Sequence, residues 1–265
     1  GELVRYISDG IISGKQGKDV FAKMYESRET PTDIIERLGL RQISDPELIT
    51  VKGRSLIERA GAILFAGSLV NEAVTRWAPP GCTIADSKDM TLEQMAAWLI
   101  AQAQQHALVI RLQTGDPALY GALIEVVQPL DAAGVPVRVV PGVSSAMASA
   151  AAAVESFTLP EVTQSVIFTR VEGRTPMPEG ESLAELARHH CTLCIFLSIT
   201  LLHKVQEQLR AAGWADDAPM LVVHKASWPG EELIIRGTLA DIRQRCRAVL
   251  CKGERQLQSC VQLLC

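Results

Sequence analysis

Short apolar runs recur along the chain from about residue 46 onward, each bounded by glycine, proline or polar residues. The sequence of a strand that is covered on both faces is a continuous apolar run, so each of these runs predicts a buried β-strand. The runs that predict strands are 62–66, 108–112, 137–140, 166–169, 192–198, 220–224 and 232–236.

Helical patterns lie between most of these runs. Thr91 with Gln94, and Ser182 with Glu185, have the spacing of capping boxes and predict helix starts. The predicted helices cover 91–105, 118–133, 144–154, 182–188 and 200–212. Alternating strands and helices predict an α/β fold, and the last two strands, which have no helix between them, predict mixed sheets.

Three segments follow from this pattern. Residues 1–45 predict a short helical segment, because Thr30-Pro31-Thr32-Asp33 combines an N-cap, a first-turn proline and a first-turn acid. Two α/β domains are predicted after it, at 46–158 and 159–265, with an atypical stretch at 249–265. A cleft between two such domains is a usual place for a ligand.

Composition narrows the class of protein. The chain has 48% hydrophobic and 21% charged residues, which is typical of a globular protein. A net charge of −4 disfavours a general nucleic-acid binder, and in residues 1–45 seven basic side chains are offset by eight acidic ones. No apolar run reaches the roughly 20 residues of a membrane-spanning helix. Seven scattered cysteines indicate a cytoplasmic location.

The cysteines and histidines do not predict a metal site. Cys191 and Cys194 form a lone C-x-x-C inside a predicted strand, where residues three apart point to opposite faces. No second C-x-x-C completes a zinc set. His189 and His190 are adjacent at the end of a predicted helix and do not share a face.

The loop Thr114-Gly115-Asp116-Pro117 is the clearest candidate for chemistry. It lies between a predicted strand and a predicted helix, and open α/β sheets bind ligands at the carboxyl ends of their strands. Glycine allows close approach of backbone amides, and Asp116 offers acceptors for a hydroxyl or an amine. An ordinary turn would have the same composition. The G-x-G-x-x-G and P-loop fingerprints are absent, which disfavours nicotinamide and phosphoryl-transfer enzymes.

Several segments between residues 46 and 248 together resemble the tetrapyrrole methylases, and within them the precorrin-4 C11-methyltransferases. These segments are 46–53 (P-E-L-I-T-V-K-G), 65–70 (F-A-G-S-L-V), 114–117 (T-G-D-P), 141–145 (P-G-V-S-S), 169–176 (T-R-V-E-G-R-T-P) and 225–229 (K-A-S-W-P). The T-G-D-P loop is similar across the superfamily, whereas the T-R-V-E-G-R-T-P run points to the C11 enzymes.

The resemblance implies a two-domain fold, a homodimer, and methyl transfer from S-adenosylmethionine to C11 of precorrin-4 or its cobalt form in cobalamin biosynthesis. It implies that the cofactor contacts Thr114, Gly115, Asp116, Leu119, Ser144, Ser145, Leu197, Ala226, Gly237 and Thr238. The many carboxylates of the tetrapyrrole predict polar and basic partners, for which the candidates are Asp45, Ser68, Arg111, Arg170, Arg174 and Lys225. Each basic candidate has a surface salt bridge as its alternative. The sulfonium is already activated, so no nucleophilic triad is needed, and the sequence identifies no catalytic residue.

The two ends of the chain depart from the family pattern. The family opens with a strand and a G-x-G-P-G-D-P loop, of which Asp45-Pro46 remains. The preceding residues, including 7–15 and 39–45, resemble the tail domain of the aspartyl/glutamyl-tRNA amidotransferases, which helps to hold tRNA. The end at 252–258 is polar where the family has a strand, and 261–264 is a candidate replacement strand. Loss of the glycine loop removes backbone donors, so the chain is expected to show weak turnover.

Two alternatives remain open from the sequence. One is a chimeric, non-catalytic scaffold whose helical segment binds tRNA or a protein partner. The other is a methylase of another tetrapyrrole, such as uroporphyrinogen III, and the T-R-V-E-G-R-T-P run weighs against it.

Overall fold

The structure is a computed structural model of the chain. It describes residues 2–8, 14–27, 29–37, 48–67, 72–173, 175–227, 232–250 and 262–264. The chain divides into two compact units, the first ending at Ser144 and the second beginning at Ser145.

Three helices open the first unit: α1 (Glu2–Ser8), α2 (Gly14–Ser27) and α3 (Pro31–Arg37). Val20 and Ile34 are fully buried where these helices pack together. The N–H of Asp33 donates to the Thr30 hydroxyl at 3.2 Å, so the cap that the sequence predicts at the start of α3 is present. The prediction of a helical opening segment is confirmed.

The rest of the first unit is a three-stranded parallel sheet with helices on both faces. Its elements are α4 (Val51–Ile57), β1 (Ala62–Phe65), a 3-10 helix at Glu72–Trp77, β2 (Thr83–Asp86), α5 (Leu92–Ala103), β3 (Val109–Leu112) and α6 (Leu123–Ala132). The strand order is β2-β1-β3. Ile63 packs with Ile57 of α4, whereas Leu64 packs with α5 and α6. Adjacent strand residues point to opposite faces, so this core has two layers.

Both predicted capping boxes are present. The N–H of Gln94 donates to the Thr91 hydroxyl at 3.3 Å, and the Gln94 side-chain oxygen accepts from the N–H of Thr91 at 2.8 Å. Ser182 and Glu185 form the second box in the same way. These reciprocal bonds satisfy N–H groups that a helix start otherwise leaves unpaired.

Two predictions for the first unit are wrong, and one of its strands was not predicted. The predicted strand at 137–140 has no regular secondary structure, because no described strand is placed to supply its hydrogen bonds. Strand β2 was not predicted, since its first two residues are exposed and its apolar run is short. The helix expected from residue 118 begins at Leu123 because Tyr120 and Ala122 adopt left-handed backbone angles.

The second unit is built on a five-stranded mixed sheet, as the sequence predicts. Its elements are α7 (Ser145–Ala153), β4 (Val166–Arg170), α8 (Leu183–Ala187), β5 (Thr192–Phe196), a 3-10 helix at Ile199–Leu201, α9 (Leu202–Ala211), β6 (Pro219–His224), β7 (Leu233–Thr238), α10 (Ile242–Leu250) and β8 (Gln262–Leu264). The order is β4-β5-β8-β6-β7, in which β4 and β5 are parallel and the other neighbours are antiparallel.

The last strand lies in the middle of this sheet. In β8, Leu263 is in register with Ile195 of β5 and with Val222 of β6. The prediction of a replacement strand near the end of the chain is therefore confirmed for residues 262–264. Because β8 is antiparallel to both neighbours, β5 and β6 run in the same direction.

The division between the units lies earlier than the boundary predicted from sequence at 158/159. Helix α7 follows Ser144, and its Ala153 is buried in a cluster with Leu221, Val223 and Ala226 of the second unit. The small side chains of α7 permit this packing, which assigns the helix to the second unit.

None of the described helices combines the length and apolar character that crossing a bilayer requires.

Candidate functional site

The loop after β3 is held in shape by its own aspartate. Asp116 Oδ1 accepts from the N–H of Ala118 at 2.8 Å, and Oδ2 accepts from the N–H of Gly142 at 3.0 Å. Gly115 has φ +70°, a left-handed value that favours glycine. Asp116 thus serves as a clamp between two loops, a role that the sequence did not predict. A direct ligand contact by its remaining lone pairs stays a prediction.

Gly142 meets the same loop at a point where no side chain fits. A Cβ built on Gly142 would collide with the carbonyl oxygen of Gly115. Two stretches predicted to contact the cofactor, 114–116 and the one leading to Ser144, are therefore in backbone contact. The dipeptide Pro141-Gly142 has this role because glycine alone permits such an approach.

Two predicted site residues carry buried polar atoms without a partner among the described residues. These atoms are Thr114 Oγ1 and Arg111 Nε. Burial lowers the pKa of the Arg111 guanidinium. Buried polar atoms in proteins are nearly always hydrogen-bonded, and contact with a ligand, an ion or a water is one explanation of an exception. Arg111 belongs to β3 and Thr114 follows its carboxyl end, so each atom is a candidate for contact with a polar ligand group.

The segment after the loop is under backbone strain. Tyr120 has φ 54° and Ala122 has φ 48°, both in the region that residues with a side chain rarely adopt. The Gln113 amide donates to the carbonyl oxygen of Gly121 at 2.6 Å and holds this bend over the strand end. Leu119, a predicted cofactor residue, is part of the strained turn. Such strain concentrates at functional sites in proteins.

The first unit has a further clamp at the ends of β1 and β2 that the sequence did not predict. Asp86 Oδ1 accepts from the N–H of Gly67 at 2.8 Å and from the N–H of Lys88 at 2.9 Å. A Cβ on Gly67 would collide with the Asp86 carboxylate. All three strands are parallel, so Gly67, Asp86 and the 114–116 loop share the carboxyl edge of the sheet.

In the second unit, Leu197 follows β5 with φ 54° and a 62% exposed side chain. Its neighbour Ser198 is buried, donates to the carbonyl oxygen of Phe196 at 2.6 Å and accepts from the N–H of Val171 at 3.1 Å. Ser198 therefore ties the ends of β4 and β5 together while Leu197 faces outward. A large apolar side chain in a strained, exposed position is typical of ligand contact.

The end of β6 lies at the same edge of this sheet. Lys225 and Ser227 have φ 52° and 68°, with the buried Ala226 between them. The N–H of Ser227 donates to the Glu232 carboxylate at 2.9 Å, which closes the turn. Leu197 and Ala226, both predicted cofactor residues, are thus at one edge of the sheet, along with Lys225.

Gly237 and Thr238, two further predicted cofactor residues, lie at the edge of the sheet opposite Leu197 and Ala226. Strand β7 is antiparallel to β6, and Thr238 is in register with Pro219 at the start of β6. This antiparallel pairing agrees with the absence of a helix between β6 and β7, from which the sequence predicts a mixed sheet.

The hydrogen bonds around Gly237 and Thr238 are those of a helix start. The N–H of Thr238 donates to Asp241 Oδ1 at 2.8 Å, and Asp241 also accepts from Arg245 at 2.6 Å. The Thr238 N–H, and after it the Arg245 side chain, hold the pKa of the Asp241 carboxyl below its usual value. A Cβ on Gly237 would lie 2.5 Å from the Asp241 carboxylate. These residues fix the start of α10.

Arg170 holds the run T-R-V-E-G-R-T-P folded on itself. Its guanidinium donates to the carbonyl oxygen of Thr175 at 3.0 Å and to that of Pro176 at 2.9 Å. Arg170 ends β4, next to Phe196 across the β4–β5 pair, and so lies at the same edge as Leu197. The other substrate candidates Asp45, Ser68 and Arg174 lie outside the described residues.

The described cysteines are all thiols. Cys82 is partly exposed, whereas Cys191, Cys194 and Cys246 are buried. Burial raises the pKa of Cys194 to about 12 and that of Cys246 to about 11, which disfavours a thiolate. Within the described ranges, no three His, Cys, Asp or Glu side chains are grouped so as to bind a metal ion.

Glycine loops at the carboxyl edge of a parallel sheet, and a mixed second sheet with strained strand ends, define an α/β protein built to bind a ligand at strand ends. Residues 43–243 match the family of Tetrapyrrole (Corrin/Porphyrin) Methylases, and the chain belongs to that family. Residues 1–61 match a second family, described as the GatB domain, which agrees with the resemblance of the opening segment.

Individual relatives narrow the comparison. The chain is 46% identical over 198 residues to a cobalt-precorrin-4 C(11)-methyltransferase of Priestia megaterium, covering 75% of this chain and 76% of the relative. The X-ray structure of a cobalt precorrin-4 methyltransferase aligns with a TM-score of 0.77 at 42% identity, over 83% of this chain and 90% of the other. A uroporphyrin-III C-methyltransferase from Thermus thermophilus, solved in complex with S-adenosyl homocysteine, aligns with a TM-score of 0.66 at 27% identity, over 83% and 87%.

Proposed function

We propose that this chain transfers the methyl group of S-adenosylmethionine to C11 of precorrin-4 or cobalt-precorrin-4, a step of cobalamin biosynthesis. The observation that carries the proposal is the unpartnered Thr114 hydroxyl in the clamped loop after β3, in a chain that is 46% identical to a cobalt-precorrin-4 C(11)-methyltransferase. The uroporphyrin-III enzyme with bound S-adenosyl homocysteine supports the choice of cofactor.

The described residues fit such a cofactor. In the first unit, Thr114 offers a buried hydroxyl, and Gly115 and Gly142 keep the loop free of side chains. In the second unit, Leu197 offers an exposed apolar surface at a strand end. The proposed cofactor residues are Thr114, Gly115, Asp116, Leu119, Ser144, Ser145, Leu197, Ala226, Gly237 and Thr238. Asp116 would act by holding the two loops together, as its hydrogen bonds to Ala118 and Gly142 indicate.

The bound cofactor supplies an electrophilic methyl group on a sulfonium. The work left to the protein is to bind both molecules, orient the acceptor carbon and exclude water. This positioning requires loops that are held in place. The turn at Tyr120–Ala122 and the hydrogen bonds of Asp116 and Ser198 hold the loops at the strand ends, and no proton transfer is needed for that.

The substrate is a macrocycle with many carboxylates, so its contacts are proposed to be basic and polar. Arg111 Nε has no hydrogen-bond partner in the described part of the chain, and Lys225 lies in a strained turn at a strand end. Arg170 is proposed to act partly through the loop that it holds, since both terminal nitrogens of its guanidinium already donate to carbonyl oxygens. Asp45, Ser68 and Arg174 complete the proposed set.

Three further properties belong to the proposal. The chain is proposed to act as a homodimer in the cytoplasm. Its turnover is proposed to be weak compared with relatives that retain the G-x-G-P-G-D-P loop, because residues 39–44 read G-L-R-Q-I-S and offer fewer glycine amides to a ligand.

A binding and turnover experiment on the full chain tests the proposal. Calorimetry with S-adenosylmethionine and S-adenosyl homocysteine should give one site per chain. Incubation with precorrin-4, its cobalt form and uroporphyrinogen III, each with a labelled methyl donor, should label C11 of precorrin-4 or its cobalt form, as located by NMR. Labelling of uroporphyrinogen III alone would favour another tetrapyrrole as substrate. A folded chain that binds neither cofactor form would contradict the proposal.

A non-catalytic scaffold that binds tRNA is the second candidate function. It is favoured by the match of residues 1–61 to the GatB domain and by two exposed aromatic side chains, Phe21 and Tyr25, one helical turn apart on α2. Aromatic side chains stack on unpaired bases. Salt-dependent tRNA binding by the same preparation, lost in Phe21→Ala with Tyr25→Ala, would support it.

A further inference from the structure

Ser198 lies directly before the 3-10 helix at Ile199–Leu201, but its hydroxyl does not cap that helix. A serine in this position ordinarily accepts from an N–H of the first helical turn. Here only the main chain of Ser198 is bonded to the helix, because its carbonyl oxygen accepts from the N–H of Leu201 at 2.9 Å. The side chain, which is 1% exposed, makes its hydrogen bonds elsewhere.

The hydroxyl of Ser198 joins the ends of two strands. It donates to the carbonyl oxygen of Phe196 at 2.6 Å and accepts from the N–H of Val171 at 3.1 Å. Val171 follows β4 directly, and its side chain is buried in the core of the second unit. A buried N–H that loses its acceptor is costly, so the conformation of the chain at Val171 depends on this hydroxyl.

The loop 171–176, which begins at Val171, lies against the turn that follows Ser198. A Cβ built on Gly173 would be 3.8 Å from the Leu201 side chain. Residues 172, 173, 175 and 176 are exposed, so the described part of this loop has little packing of its own. Its conformation therefore depends on a few hydrogen bonds, of which the bond to Ser198 is the first along the chain.

Arg170 holds the far end of the same loop. Its guanidinium donates to the carbonyl oxygens of Thr175 and Pro176 at 3.0 Å and 2.9 Å. Arg170 and Arg174 are both proposed to meet carboxylates of the tetrapyrrole. A guanidinium binds a carboxylate through a planar fork of donors, so its affinity depends on orientation. We therefore expect substrate affinity to depend on how this loop is held.

Leu197, which is proposed to contact the cofactor, is held in a different way. It lies between Phe196, the last residue of β5, and the main chain of Ser198, which is bonded to the 3-10 helix. Removing the Ser198 hydroxyl leaves both of these attachments in place. Loss of the hydroxyl should thus disturb the 171–176 loop and spare the contact between Leu197 and the cofactor.

We propose, on the basis of the function proposed above, that Ser198 is a positioning residue for the tetrapyrrole. Its hydroxyl holds the 171–176 loop, through the N–H of Val171, in the conformation that binds the substrate carboxylates. Ser198 itself does not contact the substrate. Its removal separates substrate affinity from cofactor affinity, which a general loss of stability does not do.

Binding measurements on the full chain test this role. Ser198→Ala should weaken binding of precorrin-4 or cobalt-precorrin-4 by about tenfold, measured by quenching of tryptophan fluorescence. The Kd of S-adenosyl homocysteine, measured by calorimetry, should change by less than about twofold. Hydrogen exchange of the Val171 amide should become faster. Ser198→Cys keeps a weak acceptor and should give a smaller loss in the same direction.

Thr192→Val is the matched control. Thr192 is the first residue of β5, is also buried, and donates its hydroxyl to the carbonyl oxygen of Phe157 at 2.7 Å. This variant should leave the affinity for the tetrapyrrole and the exchange of the Val171 amide unchanged. Equal weakening of tetrapyrrole binding in Ser198→Ala and Thr192→Val would overturn the role of Ser198. Unchanged tetrapyrrole binding in Ser198→Ala, or equal losses of substrate and cofactor affinity, would also overturn it.

The same titrations separate this role from the proposed function, because they measure binding and not turnover. A parent chain that binds the tetrapyrrole without methylating it would contradict the proposed function, and the comparison of variants would still decide the role of Ser198. A folded parent chain that binds neither form of the tetrapyrrole would overturn both.

Discussion

The Oδ2 atom of Asp116 accepts a hydrogen bond from the backbone N–H of Gly142 at 3.0 Å. The bond joins the loop that follows β3 to the loop that leads into α7. The other oxygen of the same carboxylate, Oδ1, accepts from the N–H of Ala118. Both loops contain residues proposed to bind the cofactor. The shape of that part of the site therefore depends on one carboxylate.

Replacing Asp116 by asparagine should weaken this clamp. The asparagine side chain has one carbonyl oxygen, and its NH₂ group cannot accept, so one of the two backbone N–H groups loses its partner. We expect a loss of about 1–3 kcal/mol in the free energy of unfolding, measured by urea denaturation, and weaker binding of S-adenosyl homocysteine. Asp131→Asn, at an exposed position on α6, is the control. Equal stability of the two variants would show that the clamp is not needed.

Gly142→Ala should be more damaging than its small size suggests. The new Cβ would collide with the carbonyl oxygen of Gly115, which is backbone and cannot move away cheaply. We expect a lower melting temperature and loss of cofactor binding. Gly173→Ala is the stability control, since its Cβ would make only an ordinary contact of 3.8 Å with Leu201. If both variants melt together, the two loops are not in contact in solution.

Thr114→Val and Ser149→Ala form a test of the cofactor position. Both remove a buried hydroxyl that has no partner among the described residues. Without ligand, both variants should be as stable as the parent chain or more stable, because an unpaired polar group is lost. Only Thr114→Val should weaken binding of S-adenosylmethionine, by about tenfold. If calorimetry shows that both variants bind S-adenosylmethionine with the same affinity, Thr114 is not part of the cofactor site.

The sequence predicts those parts of the fold that depend on local patterns. Strand β5 is a continuous apolar run, and the Thr91 and Ser182 boxes fix helix starts within four residues, so each was found. The run at 137–140 has the same pattern as β5 but no partner strand among the described residues, and pairing is not a local property.

In the candidate site, too, local features were predicted from the sequence and contacts between distant residues were not. The Thr114–Pro117 loop was found because it follows a strand directly. The clamps made by Asp86 and Ser198 were missed, because each joins positions that are distant in sequence. The position of Gly237 and Thr238, at the edge of the sheet opposite Leu197, follows from the pairing of β6 with β7 and was not part of the sequence prediction.

The Asp241 cap predicts a specific dependence of stability on pH. Its folded-state pKa lies below the ordinary value, first because of the Thr238 N–H and then because of Arg245. The ionised carboxylate therefore stabilises the fold above the unfolded-state pKa of about 3.9, and that contribution is lost as the pH falls through the folded-state pKa. Asp241→Asn should be less stable than the parent chain near neutral pH, with the difference shrinking below about pH 4. Urea denaturation across that range measures the difference, and a constant gap would contradict the prediction.

Thiol reactivity should follow burial among the described cysteines. Cys82 is partly exposed, whereas the Cys194 thiol has a pKa of about 12 and lies in the middle of a buried strand. Because the thiolate is the reactive form, iodoacetamide at mildly alkaline pH should label Cys82 first and leave Cys194 and Cys246 unlabelled until urea unfolds the chain. Mass spectrometry of peptides from native and unfolded samples separates these sites. Rapid native labelling of Cys194, or a disulfide between Cys191 and Cys194, would mean that the β5 strand is not buried as described and that the C-x-x-C has a redox role after all.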